Sequence, residues 1–194
     1  NMKELIKNII EVENKKLFKS LSTFDSKSRE NFINLCTLSI KAIKNGNKII
    51  FYGNGGSASD SQHLATELVV RYQKNRPAIS SIALSSDNSM ITAIANDFHF
   101  KKIFSRQLES IGRKGDICIA LTTSGNSINL IEAAKVSKKK GILTFCFSGN
   151  KGGKIKKFTK YPIIIDSKIP SVIQVIELHF GQIFCGILEN SLSK

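Results

Sequence analysis

The stretch Ile49-Ile50-Phe51-Tyr52-Gly53-Asn54-Gly55-Gly56-Ser57-Ala58-Ser59-Asp60 decides the fold. An apolar run stops at a glycine-rich turn, and small polar residues open the next segment. That is the layout of a buried strand, a tight loop and a helix N-terminus. Such a junction aims backbone N–H groups and the positive end of a helix at one place, which suits a phosphate. A second junction of the same kind lies at Ile117-Cys118-Ile119-Ala120-Leu121-Thr122-Thr123-Ser124-Gly125-Asn126-Ser127. The first offers Asn54 and Ser57, the second Thr122, Thr123, Ser124 and Ser127, and neither loop contains a lysine. A G-x-x-x-x-G-K-[ST] nucleotide loop is therefore absent from both. Uncharged hydroxyls and amides suit a sugar phosphate better than a triphosphate with magnesium.

Outward from these junctions, strands and helices alternate. The pattern predicts strands over 48–53, 79–84, 116–122, 142–147 and 161–165. It predicts helices over 57–72, 90–95, about 103–111, 129–140 and 170–190, with Asn96-Asp97 breaking the short one. Two helices, 2–20 and 27–44, come first and are expected to pack on each other or on a neighbouring subunit. Strands alternating with helices imply an α/β fold: a five-stranded parallel sheet with helices on both faces. Ligands of such sheets gather at the carboxyl ends of the strands, where both glycine-rich turns fall.

A chain of 194 residues is expected to form one domain. No apolar run approaches the ~20 residues of a membrane span. The N-terminus lacks the apolar segment of a signal peptide, so the cytoplasm is the expected location. Asn1 ahead of Met2 reads as a residue added by cloning. Cys36, Cys118, Cys146 and Cys185 share no C-x-x-C spacing and read as core residues in a reducing compartment, not as disulfides or metal ligands. The net charge of +14 comes from 29 Lys+Arg against 15 Asp+Glu, a basic field that attracts phosphate esters. The lysines are dispersed and lack interleaved aromatics, which argues against specific nucleic-acid binding.

On the helix after the first loop, His63 and Glu67 lie four apart and share a face. A carboxylate there suits a general base, and the pair suits a metal. Asn96-Asp97 is placed to reach a sugar hydroxyl or to cap the next helix. The last helix is apolar except for Gln174, Glu177, His179 and Gln182. Polar groups there carry a penalty unless satisfied, so they line a site or meet a partner. Gly53-x-Gly55-x-x-Ala58 also fits a dinucleotide fingerprint, with Asp87 as a distant ribose carboxylate, but that reading leaves the second loop without a role.

Gly53-Asn54-Gly55-Gly56-Ser57, Gln62 to Leu68, Arg71-Tyr72, Asn75-Arg76-Pro77, Ala95-Asn96-Asp97, Phe104 to Gln107 and Thr123 to Ser127 occur together and in order. In this set the chain resembles the phosphoheptose isomerases of the sugar isomerase (SIS) fold, along nearly its whole length. The resemblance implies a single SIS domain over 1–194, with a helical extension over about 2–46. It implies interconversion of sedoheptulose 7-phosphate and D-glycero-D-manno-heptose 7-phosphate through an enediol, at the entry to bacterial heptose synthesis for lipopolysaccharide, capsule or another product. It further implies a homotetramer with sites at subunit interfaces, and zinc. By position, Ser57, Thr122, Ser124 and Ser127 would hold the phosphate, with Thr123 beside them. Asn54, Gly55, Gly56, Asn96 and Asp97 would line the sugar, Glu67 would be the base, and Gln174 would contact substrate. The metal positions are His63, Glu67, Gln174 and Gln182.

One residue departs from the family. Gln182 stands where the family places a histidine that is both catalytic partner and metal ligand. Glutamine does not titrate near neutrality and is a poor zinc ligand. A related branch, the DnaA initiator-associating protein, also lacks this histidine; it keeps the fold and tetramer but binds a replication initiator without catalysis. That branch also lacks the glutamate, which this chain retains as Glu67. His179 lies three residues before Gln182, about 60° around the helix, and would substitute only in a rotated helix.

Overall fold

The computed structural model describes residues 1–193. Five strands, β1 (Ile49–Gly53), β2 (Ser81–Ala83), β3 (Ile117–Thr122), β4 (Leu143–Ser148) and β5 (Tyr161–Ile164), form one sheet in the order β2-β1-β3-β4-β5. All four pairings are parallel. Seven helices accompany them: α1 (Met2–Ser22), α2 (Ser26–Lys44), α3 (Gly56–Val69), α4 (Asn88–Asp97), α5 (Ser105–Ile111), α6 (Ile128–Lys140) and α7 (Pro170–Leu192). The expected α/β architecture is the one observed.

Period-two alternation inside the strands builds two cores. Ile49, Phe51, Ile119, Leu121, Phe145 and Phe147 face α2, α3 and α7. Ile50, Tyr52, Cys118, Ala120 and Cys146 face the layer made by α4, α5 and α6. Both faces of the central strands are covered, so β1 and β3 are wholly buried and mostly apolar, with Thr122 closing β3.

Several boundaries differ from expectation. β2 is only three residues long and lies at the sheet edge, where pairing on one side supports less strand. Asn96-Asp97 does not break α4 but forms its last two residues, and the cap on the following 3₁₀ turn is His99. α7 has a mean hydropathy of 1.5 over a membrane-length window, so an apolar segment of spanning length does exist, contrary to the sequence reading. It is a core helix, burying Val172, Ile173, Ile176, Phe184 and Leu188 between α2, α3 and the sheet. α1 packs on α7 through Leu17 and Leu21, donates from the buried Ser20 hydroxyl to the Asp166 carbonyl oxygen, and leaves Leu5, Ile6, Ile9 and Ile10 about half exposed.

β1 lies between β2 and β3, so the chain leaves it in opposite directions and a crevice opens at the carboxyl ends of β1 and β3. Register pairs Gly53 with Leu121, which places the two glycine-rich turns side by side over that crevice.

Candidate active site

The first turn is shaped by its glycines. Gly55 holds φ +57° at the N-cap of α3, where an L side chain is strained. No side chain caps this helix, which leaves its first N–H groups free for an anion. Asn54 exchanges two hydrogen bonds with Asn129, at 3.0 and 2.8 Å, which ties the first turn to the start of α6. In the second turn Gly125 (φ +66°) lies so close to Gly152 that an added Cβ would collide with its carbonyl oxygen. Ser124 Oγ accepts from the Asn126 N–H at 3.1 Å. Ser127 is the N-cap of α6, yet its hydroxyl makes no capping bond and is free for a ligand. Thr123, Ser124 and Ser127 are half-buried at the mouth of the crevice.

Two of the expected phosphate holders sit deeper. Ser57 and Thr122 are buried, and both bind Glu177 of α7. Ser57 Oγ donates to Glu177 Oε2 at 3.2 Å, and the Thr122 N–H donates to Oε1 at 3.0 Å. Thr122 Oγ1 in turn accepts from the Gly125 N–H. Glu177 is fully buried and pushed from 4.5 up to about 8. Burial is the main cause, and the Ser57 and Thr122 bonds offset it only in part. Its sequence signal was that of a charged residue on an apolar helix. Asn129 gave no signal, because an asparagine in a first helical turn is unremarkable.

From here α3 and α7 run side by side. Gln174 covers Gly56 so closely that an added Cβ would lie 2.7 Å from its Nε2. Gly181 lets Leu64 approach to a distance that any side chain would block. Beyond it His63 Nε2 lies 3.0 Å from Glu67 Oε1. Gln182 Nε2 stands 3.1 Å from His63 Nε2 and 3.5 Å from Glu67 Oε1. Glu67 thus lies ten residues along α3 from the anion cradle at Gly56-Ser57, roughly 15 Å away by helical rise.

His179 is exposed and meets Phe180 edge-on, so the helix is not rotated and Gln182 occupies the position facing Glu67. Asn96 and Asp97 are exposed and bond each other at 2.9 Å. Asp97 lines a separate depression with His99 and Arg106, and no contact joins either residue to the cradle within one chain. Asp87 caps α4 through the Met90 N–H, which commits it locally and leaves the dinucleotide reading without its carboxylate. All four cysteines are free and buried.

The donor set does not fit zinc. Among the described residues no three of His, Cys, Asp and Glu converge. A protein zinc site takes at least three such ligands, and here an amide nitrogen points at the two that are present.

Glycine-rich turns at the carboxyl ends of a parallel sheet, with a carboxylate farther along the helix that follows the first, are the arrangement of a SIS domain, and the SIS-domain family model matches residues 14–149. The phosphoheptose isomerase of Akkermansia muciniphila is 43% identical over 163 residues, 84% of this chain and 85% of its own length. That of Clostridium acetobutylicum is 38% identical over 189 residues, 96% of each chain. The structure of the Neisseria gonorrhoeae phosphoheptose isomerase superposes with a TM-score of 0.89 at 28% identity, covering 95% of this chain and 99% of that one. This chain belongs to the phosphoheptose isomerase family.

Proposed function

We propose that this protein interconverts sedoheptulose 7-phosphate and D-glycero-D-manno-heptose 7-phosphate. The observation that carries this reading is Glu67, held by His63 and Gln182 on the helix that begins at the cradle. The phosphate sits at the free N-terminus of α3, with Thr123, Ser124 and Ser127 around it. Gln174 and the Asn54–Asn129 pair meet the sugar. Glu67 takes a proton from C1 of the ketose and returns it to C2, while the hydroxyl proton passes between O2 and O1. The Gln182 amide donates to the enediolate oxygen. His63, a titratable group in contact with both, carries the proton that the family's histidine would carry. No step passes through a metal.

The exposed apolar face of α1 and the exposed Asn96-Asp97 pair support a homotetramer in which a neighbouring chain completes the site. The free, buried cysteines support a cytoplasmic location. Gln182 alone favours the other reading, a non-catalytic tetramer that binds an initiator; the retained and poised Glu67 weighs against it.

Incubation with sedoheptulose 7-phosphate, followed by NMR of the sugars, tests the proposal. Turnover is expected from the wild type, and Glu67→Gln is expected to lower kcat by about 10²–10⁴-fold. Equal inertness of the two proteins would overturn it.

A further inference from the structure

Glu177 is a buried carboxyl group that the reaction above does not use. It joins three elements: its two oxygens hold Ser57 at the start of α3 and Thr122 at the end of β3, and it belongs to α7. Those are the two junctions that form the cradle. We propose that Glu177 is a positioning residue that sets the spacing of the cradle loops, and that binding of the phosphoryl group is linked to its protonation. The proposal rests on the sugar-phosphate reading of this site.

The linkage comes from the hydrogen count. The ionised carboxylate can only accept, so it consumes the Ser57 hydroxyl hydrogen and the Thr122 N–H together. It also places a full negative charge one hydroxyl away from a phosphate dianion. The neutral acid still accepts from the Thr122 N–H at Oε1. Its own Oε2–H donates to Ser57 Oγ, and the Ser57 hydrogen is then free to turn toward a phosphate oxygen. Only the protonated form frees a donor for the ligand and removes the repulsion.

The surroundings favour that form. Asp60 on α3 and Cys146 on β4 are the titratable groups that face Glu177, and a charge on either opposes its ionisation. α1 and α2 bring Leu17, Leu21 and Phe32 to this stretch of α7, all apolar. Among the described residues no lysine, arginine or histidine forms an ion pair with Glu177. With Glu177 pushed up to about 8, the neutral acid prevails at neutral pH.

The test is calorimetric titration of the whole protein with sedoheptulose 7-phosphate, and separately with inorganic phosphate, from pH 6.5 to 9.5. The sugar phosphate's second ionisation, near pH 6, is largely complete before Glu177 titrates, whereas inorganic phosphate ionises about one unit higher, so its curve is compared only above pH 8. The wild-type Kd is expected to hold steady up to about pH 7.5 and then to weaken by about tenfold per pH unit above 8. Glu177→Gln, whose amide reproduces the neutral acid's donor and acceptor, is expected to keep the neutral-pH Kd and to bind equally well at pH 9. A merely structural role would not give that rescue. Titrations of the wild type in two buffers of different ionisation heat should show proton uptake at pH 8.5, which needs no variant to fold. A wild-type Kd that stays flat to pH 9.5, or an unchanged alkaline limb in Glu177→Gln, would overturn the proposal while leaving the isomerase reading intact. Binding of phosphate but not of the sugar phosphate would overturn the isomerase reading and leave the clamp standing. No binding of either ligand at any pH would overturn both.

Discussion

Glu177 and Glu189 sit twelve residues apart on α7, roughly 18 Å by helical rise, and both are almost completely buried. Their chemistry runs in opposite directions. At Glu189, burial works upward but is outweighed by donors from the Tyr72, Gln73 and Lys74 N–H groups and by the Arg76 guanidinium, and the carboxyl is held low. Arg76 Nε lies 3.4 Å from it, and the same side chain binds the Glu67 and Leu68 carbonyl oxygens, closing the end of α3. At Glu177 there are two neutral donors and no cation. Two carboxyls closed to water therefore form a fixed ionic clasp at one end of the helix and a near-neutral titrating acid at the other. The deeper position of Glu177 and the number and charge of the partners together decide which.

The strongest way to break this contrast is to remove the clasp. Glu189→Ala leaves Arg76 buried without its carboxylate and is expected to cost about 3–5 kcal/mol in urea unfolding, with kcat of the folded fraction unchanged. A loss under 1 kcal/mol would mean that the clasp is no stronger than a surface pair. Gly56→Ala probes the other end. Its Cβ must push the Gln174 amide aside, so KM should rise by roughly tenfold while thermal stability barely moves; an unchanged KM would take Gln174 out of the binding site. Gln182→His supplies the missing third ligand beside His63 and Glu67. Metal analysis of that variant after purification in zinc should approach one ion per chain, against little in the wild type, and equal content in both would show that the amide does not block the site.

The contrast also shows in the pH dependence of stability. Glu189, held low, stabilises above the ordinary carboxylate range, and that contribution is lost as pH falls through its folded pKa. Glu177, pushed from 4.5 to about 8, binds a proton that the unfolded chain has released, so stability falls as pH rises across that interval. Melting curves should form a dome, and Glu177→Gln should flatten its alkaline side. An unaltered alkaline side would place the carboxyl back in the ordinary range.

Much of the molecule is legible in its sequence. Each glycine-rich junction is local: a few consecutive residues fix a strand end, a turn and a helix start, so both cradles and the five-strand alternation can be read directly. His63 and Glu67 share a helix, and helical spacing alone pairs them. Family resemblance places Gln182 opposite Glu67, and the regular α7 puts it there. Glu177 is visible only as a charge on an apolar helix, because its partners lie 120 and 55 residues away in the chain. Asn129 is not visible at all, because its partner Asn54 is 75 residues distant.

The sequence by itself determined the strands, the turns, the helix faces and the anion-binding character of the strand ends, since these depend on neighbours within a few residues. Only the tertiary structure decided which buried carboxylate meets a cation and which meets only a hydroxyl and an amide. It also separated Asn96 and Asp97 from the cradle within one chain, and turned the Gln182 amide onto the His63–Glu67 pair. Those outcomes depend on the parallel packing of α3 against α7, and a residue's electrostatic environment is set by neighbours that are distant in the chain.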